Sequence, residues 1–347
     1  MKVCVDAMGG DHAPEWIVKG AFQASFSGVP VILVGDEKRI KREAKRLGGI
    51  PSNVEIVHAS EAIGMDEAPT IAVRKKKDSS LRVGFKLIRE GKAQAMVSAG
   101  NSGAIMAAAI MTLRRIPGVD RPAIATLIPT FKGHMVLLDI GANVDCRPDH
   151  LRQFAVVGTV FCRTVLHIPF PRVAILSNGE ETSKGNALTR ETHHLLSNSF
   201  LNYIGYVEGR DIFSGDVDVV ICDGFVGNIV LKLTEGLSSA IFGFMKNAMK
   251  GSFSAKIGYL FIRGSLRNLL QSFDYSEYGG APLLGVDGVC LIAHGSSPPK
   301  AIKNAVFHAH ELATQNLVER MRRNIQKLNM NGKTEKNGRR DRTPEER

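Results

Sequence analysis

The chain predicts an α/β protein built on a doubly wound, mainly parallel sheet flanked by helices. Short β-branched apolar runs recur along it, and charged, amphipathic segments of helical length separate them. Several runs also end in small, polar, glycine-rich turns, the form loops take at the carboxyl edge of a parallel sheet. Composition agrees: 44% hydrophobic, 6% aromatic and 35 glycines in 347 residues give ample core for one large domain or two.

The first run, Val3 to Val5, ends at Asp6 and turns through Gly9 and Gly10 into a helix predicted from Glu15 to Ala24, whose first turn tolerates Pro14. Strands are then predicted over 31–34, 54–57, 95–98, 123–128, 136–140, 173–176, 217–221 and 289–293. Helices are expected over 37–47 and 81–90, and after glycine turns over 105–113 and 229–237. Residues 238–273 read as two helices divided by Gly251 and Ser252, a protruding hairpin with five basic residues and no acid. Residues 331–347 are almost devoid of apolar side chains and read as a disordered basic tail, leaving 1–330 as a single α/β domain. No internal repeat is evident.

The net charge is +11, and the tail supplies only two of those charges. The folded part is basic, which suits acidic partners: phosphate, an acidic protein, nucleic acid or anionic lipid. Five scattered cysteines form no CxxC pair, so buried thiols in a reducing, cytoplasmic setting are expected in place of disulfides or a zinc site. No uninterrupted apolar stretch reaches bilayer length, and no signal peptide is visible. GxxxxGK[ST], GxGxxG after the first strand, GxSxG and HExxH are all missing. Neither a P-loop enzyme nor a zinc protease is indicated, and no metal or cofactor is expected. The remaining signal is the set of loops rich in Gly, Asn, Ser and Asp, which suggests a shared anion pocket.

Taken in order, the stretches at 6–14 (DAMGGDHAP), 68–80, 98–104 (SAGNSGA), 139–145 (DIGANVD), 177–186 (SNGEETSKGN), 223–232 (DGFVGNIVLK) and 278–297 resemble the acyl-acyl-carrier-protein:phosphate acyltransferases of bacterial phospholipid synthesis. The resemblance covers residues 1 to about 325. It implies a fold similar to the isocitrate/isopropylmalate dehydrogenase and phosphotransacetylase group, and a homodimer in peripheral contact with an anionic membrane. It also implies one reaction: inorganic phosphate attacks the thioester of a long-chain acyl group on acyl carrier protein, giving acyl phosphate for hand-off to a membrane glycerol-3-phosphate acyltransferase.

Such chemistry needs donors for a dianion and an oxyanion, and no nucleophilic triad. Lys184 can pair with phosphate, and Asn228, read at a helix start, can donate to an oxyanion. Asp6 and Asp223 either orient Lys184 or a neighbouring donor, or cap helices. His294 either protonates the departing thiolate or stabilises a turn. Gly9, Gly10, Asn101, Ser102, Gly103, Asn186 and Gly224 are expected to bind substrate. Arg74, Lys75, Lys76 and Lys77 form a candidate dock for the carrier protein, or an ordinary solvated charge run. Phe253, Ile257, Leu260 and Phe261 at the hairpin tip are expected to meet lipid, while the helix bases pack in the dimer. Acyl transfer between phosphate and coenzyme A is the enzymatic alternative. An isopropylmalate-type dehydrogenase lacks its acid cluster here, and a nucleic-acid-binding module lacks an aromatic stacking platform.

Overall fold

The computed structural model describes residues 1–250, 264 and 275–340. They build an eleven-stranded sheet with helices on both faces. β1 (Val3–Asp6), β2 (Val31–Gly35), β3 (Val54–His58) and β4 (Ala95–Ser98) are parallel, in the order β3-β2-β1-β4. Between them run α1 (Glu15–Phe26), α2 (Glu37–Arg46), α3 (Pro69–Lys75) and α4 (Ser80–Arg89). β11 (Val289–Ile292) joins this parallel half beside β4.

The centre of the sheet departs from the parallel pattern. β10 (Ala281–Leu284) is antiparallel to β11, β5 (Ala123–Thr130) is antiparallel to β10, and β6 (Gly133–Leu138) closes a hairpin with β5. β9 (Val219–Ile221), β7 (Val173–Leu176) and β8 (Tyr203–Val207) then continue parallel to β6. Three successive antiparallel pairings reverse the strand direction. The carboxyl ends of β1, β4 and β11 therefore point to one edge of the sheet, and those of β6, β7 and β9 to the other.

Strand alternation explains the layering. Val3 and Val5 join one core layer and Cys4 the other; Val136 and Leu138 face one side, Met135 and Leu137 the opposite side. One face is covered by α1, α6 (Pro148–Val165), α9 (Pro299–Thr314) and the start of α10 (Leu317–Arg340), the other by α4 and α5 (Ser102–Thr112). α7 (Ala187–Ser197) and α8 (Gly224–Lys250) complete the helices named here. In α10, buried Leu317, Met321, Ile325 and Leu328 anchor a helix that continues through Arg340, into the stretch read from sequence as disordered. Residues 341–347 lie outside the described residues, as does most of the expected hairpin beyond Lys250.

Candidate active site

The strand-end loops gather in two groups. The first stands at the carboxyl ends of β1, β4 and β11. Asp6 is buried there; its carboxylate accepts the Ser98 hydroxyl at 2.7 Å and the Met8 amide at 3.1 Å. Burial pushes its carboxyl above the usual range, and the Ser80 and Ser98 hydroxyls and the Met8 and Gly9 amides pull back. The Gly9 turn lies against the Gly100 turn so closely that a Cβ on Gly9 would fall 2.6 Å from Asp6 Oδ2 and 2.8 Å from Gly100 N. Asn101 caps α5: its Oδ1 accepts the Ala104 amide at 3.1 Å, and its Nδ2 donates to the Met65 carbonyl at 2.7 Å. Ser102 and Gly103 follow as the first residues of that helix. Gly10 lies in the same turn, where the Asp11 amide donates to the Gly295 carbonyl at 2.9 Å, joining the β1 and β11 loops. His294 is exposed on the β11 loop, its Nδ1 2.8 Å from Ser296 Oγ.

The second group stands at the carboxyl ends of β6, β7 and β9. Its organiser is Asp139. Oδ1 accepts the amides of Ile124, Gly141 and Ala142 at 3.1, 3.2 and 3.0 Å, and Oδ2 accepts both the amide and the side-chain Nδ2 of Asn143 at 2.7 and 2.8 Å. Burial pushes this carboxyl up while the N–H donors push it down. Since all five partners are donors, the loop fits the anion. The start of α8 rests on this loop: a Cβ on Gly227 would sit 1.8 Å from the Asp139 carbonyl oxygen, so only glycine fits. Asp223 is the α8 cap, accepting the Val226 amide at 2.9 Å. Asn186 caps α7 by accepting the Thr189 amide at 2.9 Å.

The first turns of α7 and α8 share a cavity of about 390 Å3, with a floor of Leu151, Leu176 and Val226 and a rim of Ser177, Thr189 and Asp223. Two helix N-termini thus meet one pocket, an arrangement that favours an anion. Exposed Lys184 sits in the same β7–α7 loop, its amide 2.9 Å from the Glu181 carbonyl and its stem against Gly179. Cys222 also lines the pocket, and burial raises its thiol well above the ordinary value, which disfavours the thiolate.

The single crevice expected from the loops is therefore divided by the strand reversal. Asp6, Gly9, Gly10, Asn101, Ser102, Gly103 and His294 lie in the first group; Lys184, Asn186, Asp223, Gly224 and Asn228 in the second. Asp6 does not orient Lys184: it belongs to the other edge and is held by Ser98 and Met8. Asp223 has the capping role. α8 begins at Gly224, five residues before the expected start, so Asn228 is in its second turn, near Gly141, and not at the helix start. Lys76 in the basic run turns back to Glu67 at 2.6 Å and to the Ala62 carbonyl at 2.7 Å. Phe253, Ile257, Leu260 and Phe261 lie outside the described residues. Asp139, Asn143, Ser177 and Thr189 join the second loop group only through the fold. The DIGANVD and SNGEETSKGN stretches contain or adjoin them, but nothing in the residue order shows five donors converging on Asp139.

A family model described as "Fatty acid synthesis protein" matches residues 1–320. The chain belongs to this family. It is 55% identical over 330 residues to the phosphate acyltransferase of Geobacter sp. strain M21, across 95% of this chain and 93% of the relative. It is 53% identical over 322 residues to the phosphate acyltransferase of Trichlorobacter lovleyi, across 92% of this chain and 93% of the relative. Among solved structures it resembles a phosphotransacetylase from Streptococcus pyogenes, with a TM-score of 0.63 at 19% identity over 90% of this chain and 94% of that one. A 4-hydroxythreonine-4-phosphate dehydrogenase from Klebsiella pneumoniae follows at TM-score 0.52 and 16% identity, over 90% of this chain and 99% of that one. These two likenesses establish the α/β fold, which this family shares with both enzymes despite low identity.

Proposed function

We propose that the chain is an acyltransferase that moves a long-chain acyl group from the thioester of acyl carrier protein to inorganic phosphate, for phospholipid synthesis. The observation that carries this reading is the relationship to phosphate acyltransferases, at 52–55% identity along more than nine-tenths of the chain. The pocket between α7 and α8 is chemically suited to it. A phosphate oxygen attacks the thioester carbonyl carbon, the carbonyl electrons move to an oxyanion, and the tetrahedral intermediate collapses by breaking the C–S bond. The products are acyl phosphate and the carrier thiolate.

Phosphate is itself the nucleophile, which agrees with the raised thiol of Cys222 and with hydroxyls that lack a base partner: Ser177 pairs with Asn178, and Thr189 with the Asn186 carbonyl. Lys184 and the two helix N-termini are assigned to the phosphate and oxyanion charges. The leaving thiolate has a parent pKa of about 8.5, so it departs without a protein acid, and His294 is not needed for that step. The apolar floor takes the first methylenes of the chain.

Purified protein incubated with palmitoyl-carrier protein and phosphate should release free carrier and form acyl phosphate. Release that does not depend on phosphate refutes the reading. Substituting palmitoyl-coenzyme A separates it from the phosphotransacetylase-like alternative, which requires the coenzyme A thioester to be the better donor.

α8 bears on the proposed homodimer and peripheral membrane contact. Gly224–Met245 is long and apolar enough to cross a membrane by length and composition, a property the broken apolar pattern of the sequence did not suggest. Phe225, Ile229, Leu233, Leu237 and Phe244 are exposed along it, close to helical i, i+4 spacing. This face supports pairing with a second copy near the helix base and lipid contact farther along.

A further inference from the structure

We propose that the acyl donor docks on a basic groove lined by Arg114 and Arg115, with Arg121 and Arg147 along the segment that leads from it to the second loop group, and that its occupant is the acidic carrier protein. The inference rests on the functional reading above and adds the surface that recognises the donor.

The groove, about 370 Å3, lies between the end of α5 and the 114–119 turn, with Ile110, Ile116 and Val119 in its wall beside Arg114 and Arg115. It is on the same sheet edge as the pocket. The Ile116 amide donates to the Gly285 carbonyl at 2.9 Å just past β10, whose end pairs with the start of β5. Asn143 Nδ2 donates to the Pro122 carbonyl at 2.7 Å, tying the groove's outgoing strand directly to the Asp139 loop.

Charge extends along this connection. Arg115 donates to the Asp120 carbonyl, while Arg147 stands 3.6 Å from the Asp120 carboxylate. Arg121 lies close enough to Cys146 and His150 to act electrostatically on both. Asp149 is taken up by Arg152 at 2.8 Å. Asp120 and the adjoining Asp145 stand against four guanidiniums, and Asp287, whose amide donates to the Arg114 carbonyl, is itself paired with Arg322, so positive charge remains in excess.

The 74–77 run is weaker by the same measure. Arg74 and Lys75 end α3 and Lys76 and Lys77 follow it, the flanking segments carry Glu61, Asp66, Glu67 and Asp78, and Lys76 is bound to Glu67. Arg114, Arg115, Arg121 and Arg147 are all exposed, and a surface of net positive charge matches the acidic face of a carrier protein, so charge complementarity is the term that selects it.

The test compares wild type, Arg114→Glu/Arg121→Glu and Lys75→Glu/Lys77→Glu in the phosphate-dependent assay with palmitoyl-carrier protein, alongside binding of fluorescent carrier at two salt concentrations and the mass in solution. The arginine variant should raise Kd and KM at least about tenfold while kcat stays within about twofold, because docking precedes chemistry. The lysine variant should behave as wild type, and wild-type binding should weaken as salt rises. If charge reversal unfolds the protein, Arg121→Gln must show a reduced salt dependence of carrier binding, and Arg121→Lys must restore it. Unchanged binding in the arginine variants, loss in the lysine variant instead, or conversion of a dimer to a monomer overturns the proposal; the last would make the groove a contact between copies. Failure of wild type to form acyl phosphate would refute the functional reading, whereas normal wild-type turnover with unaffected arginine variants refutes only the docking surface.

Discussion

Replacing Asp139 by Asn tests whether the second loop group is assembled by one carboxylate. The aspartate offers two acceptor oxygens to five N–H groups: three on Oδ1 and two on Oδ2. Asparagine keeps the shape but has one acceptor, so at best Oδ1 retains its three amides and the new NH2 faces the two Asn143 donors. Asn143 can relieve one clash only by flipping its amide, which breaks its 2.7 Å bond to the Pro122 carbonyl. Two charge-assisted bonds are lost on either route, at about 1.5–3 kcal/mol each, or roughly 3–6 kcal/mol together. Against a typical total of about 5–15 kcal/mol that is a large fraction. With an unfolding entropy of about 2.1 cal/mol/K per residue over 347 residues, each kcal/mol moves Tm by about 1.4 °C, so Tm should fall by about 4–8 °C. Since Gly224 and Gly227 rest on this loop, the start of α8 should loosen with it and turnover should fall. Thermal unfolding by circular dichroism, with acyl phosphate formation measured below the transition, provides the assay. A variant melting within about two degrees of wild type would refute the argument that these five bonds hold the loop.

Other outcomes bear on single residues. Lys184→Ala should lower turnover by about 10–100-fold at saturating carrier with Tm unchanged, because the side chain is exposed; unaltered kcat and phosphate KM would remove it from the site. Cys222→Ala should keep kcat within about threefold, and a loss of several orders of magnitude would restore the thiol as nucleophile. Burial raises the folded pKa of Asp6, so its contribution to stability is complete below the unfolded value of about 3.9 and is lost as pH rises through the folded one. Asp6→Asn carries no such penalty. The difference in Tm between variant and wild type should therefore shift in the variant's favour from about pH 4 to pH 8, and a constant difference would show that Asp6 has no raised pKa.

Legibility followed the range of the interactions. The β-branched runs at Val31, Val54 and Val173 announced their strands because alternation and burial are written locally. β8 and β10 escaped notice because Gly205 interrupts one and Pro282 sits within the other, both residues that weaken a strand pattern. Asn186 showed its place in a strand-end loop, but its cap on α7 depends on where that helix starts.

By itself the sequence determined the α/β class, the glycine-rich loops at the strand ends and the family. Each of these is encoded in short segments whose periodicity and glycines dictate local structure. Only the tertiary structure decided which loops meet. The antiparallel pairings of β11 with β10, β10 with β5 and β5 with β6 join segments far apart in the chain or set by a single hairpin. Their direction comes from cross-strand hydrogen bonding, to which no individual segment is committed. That reversal places Asp6 and Lys184 on opposite edges of one sheet.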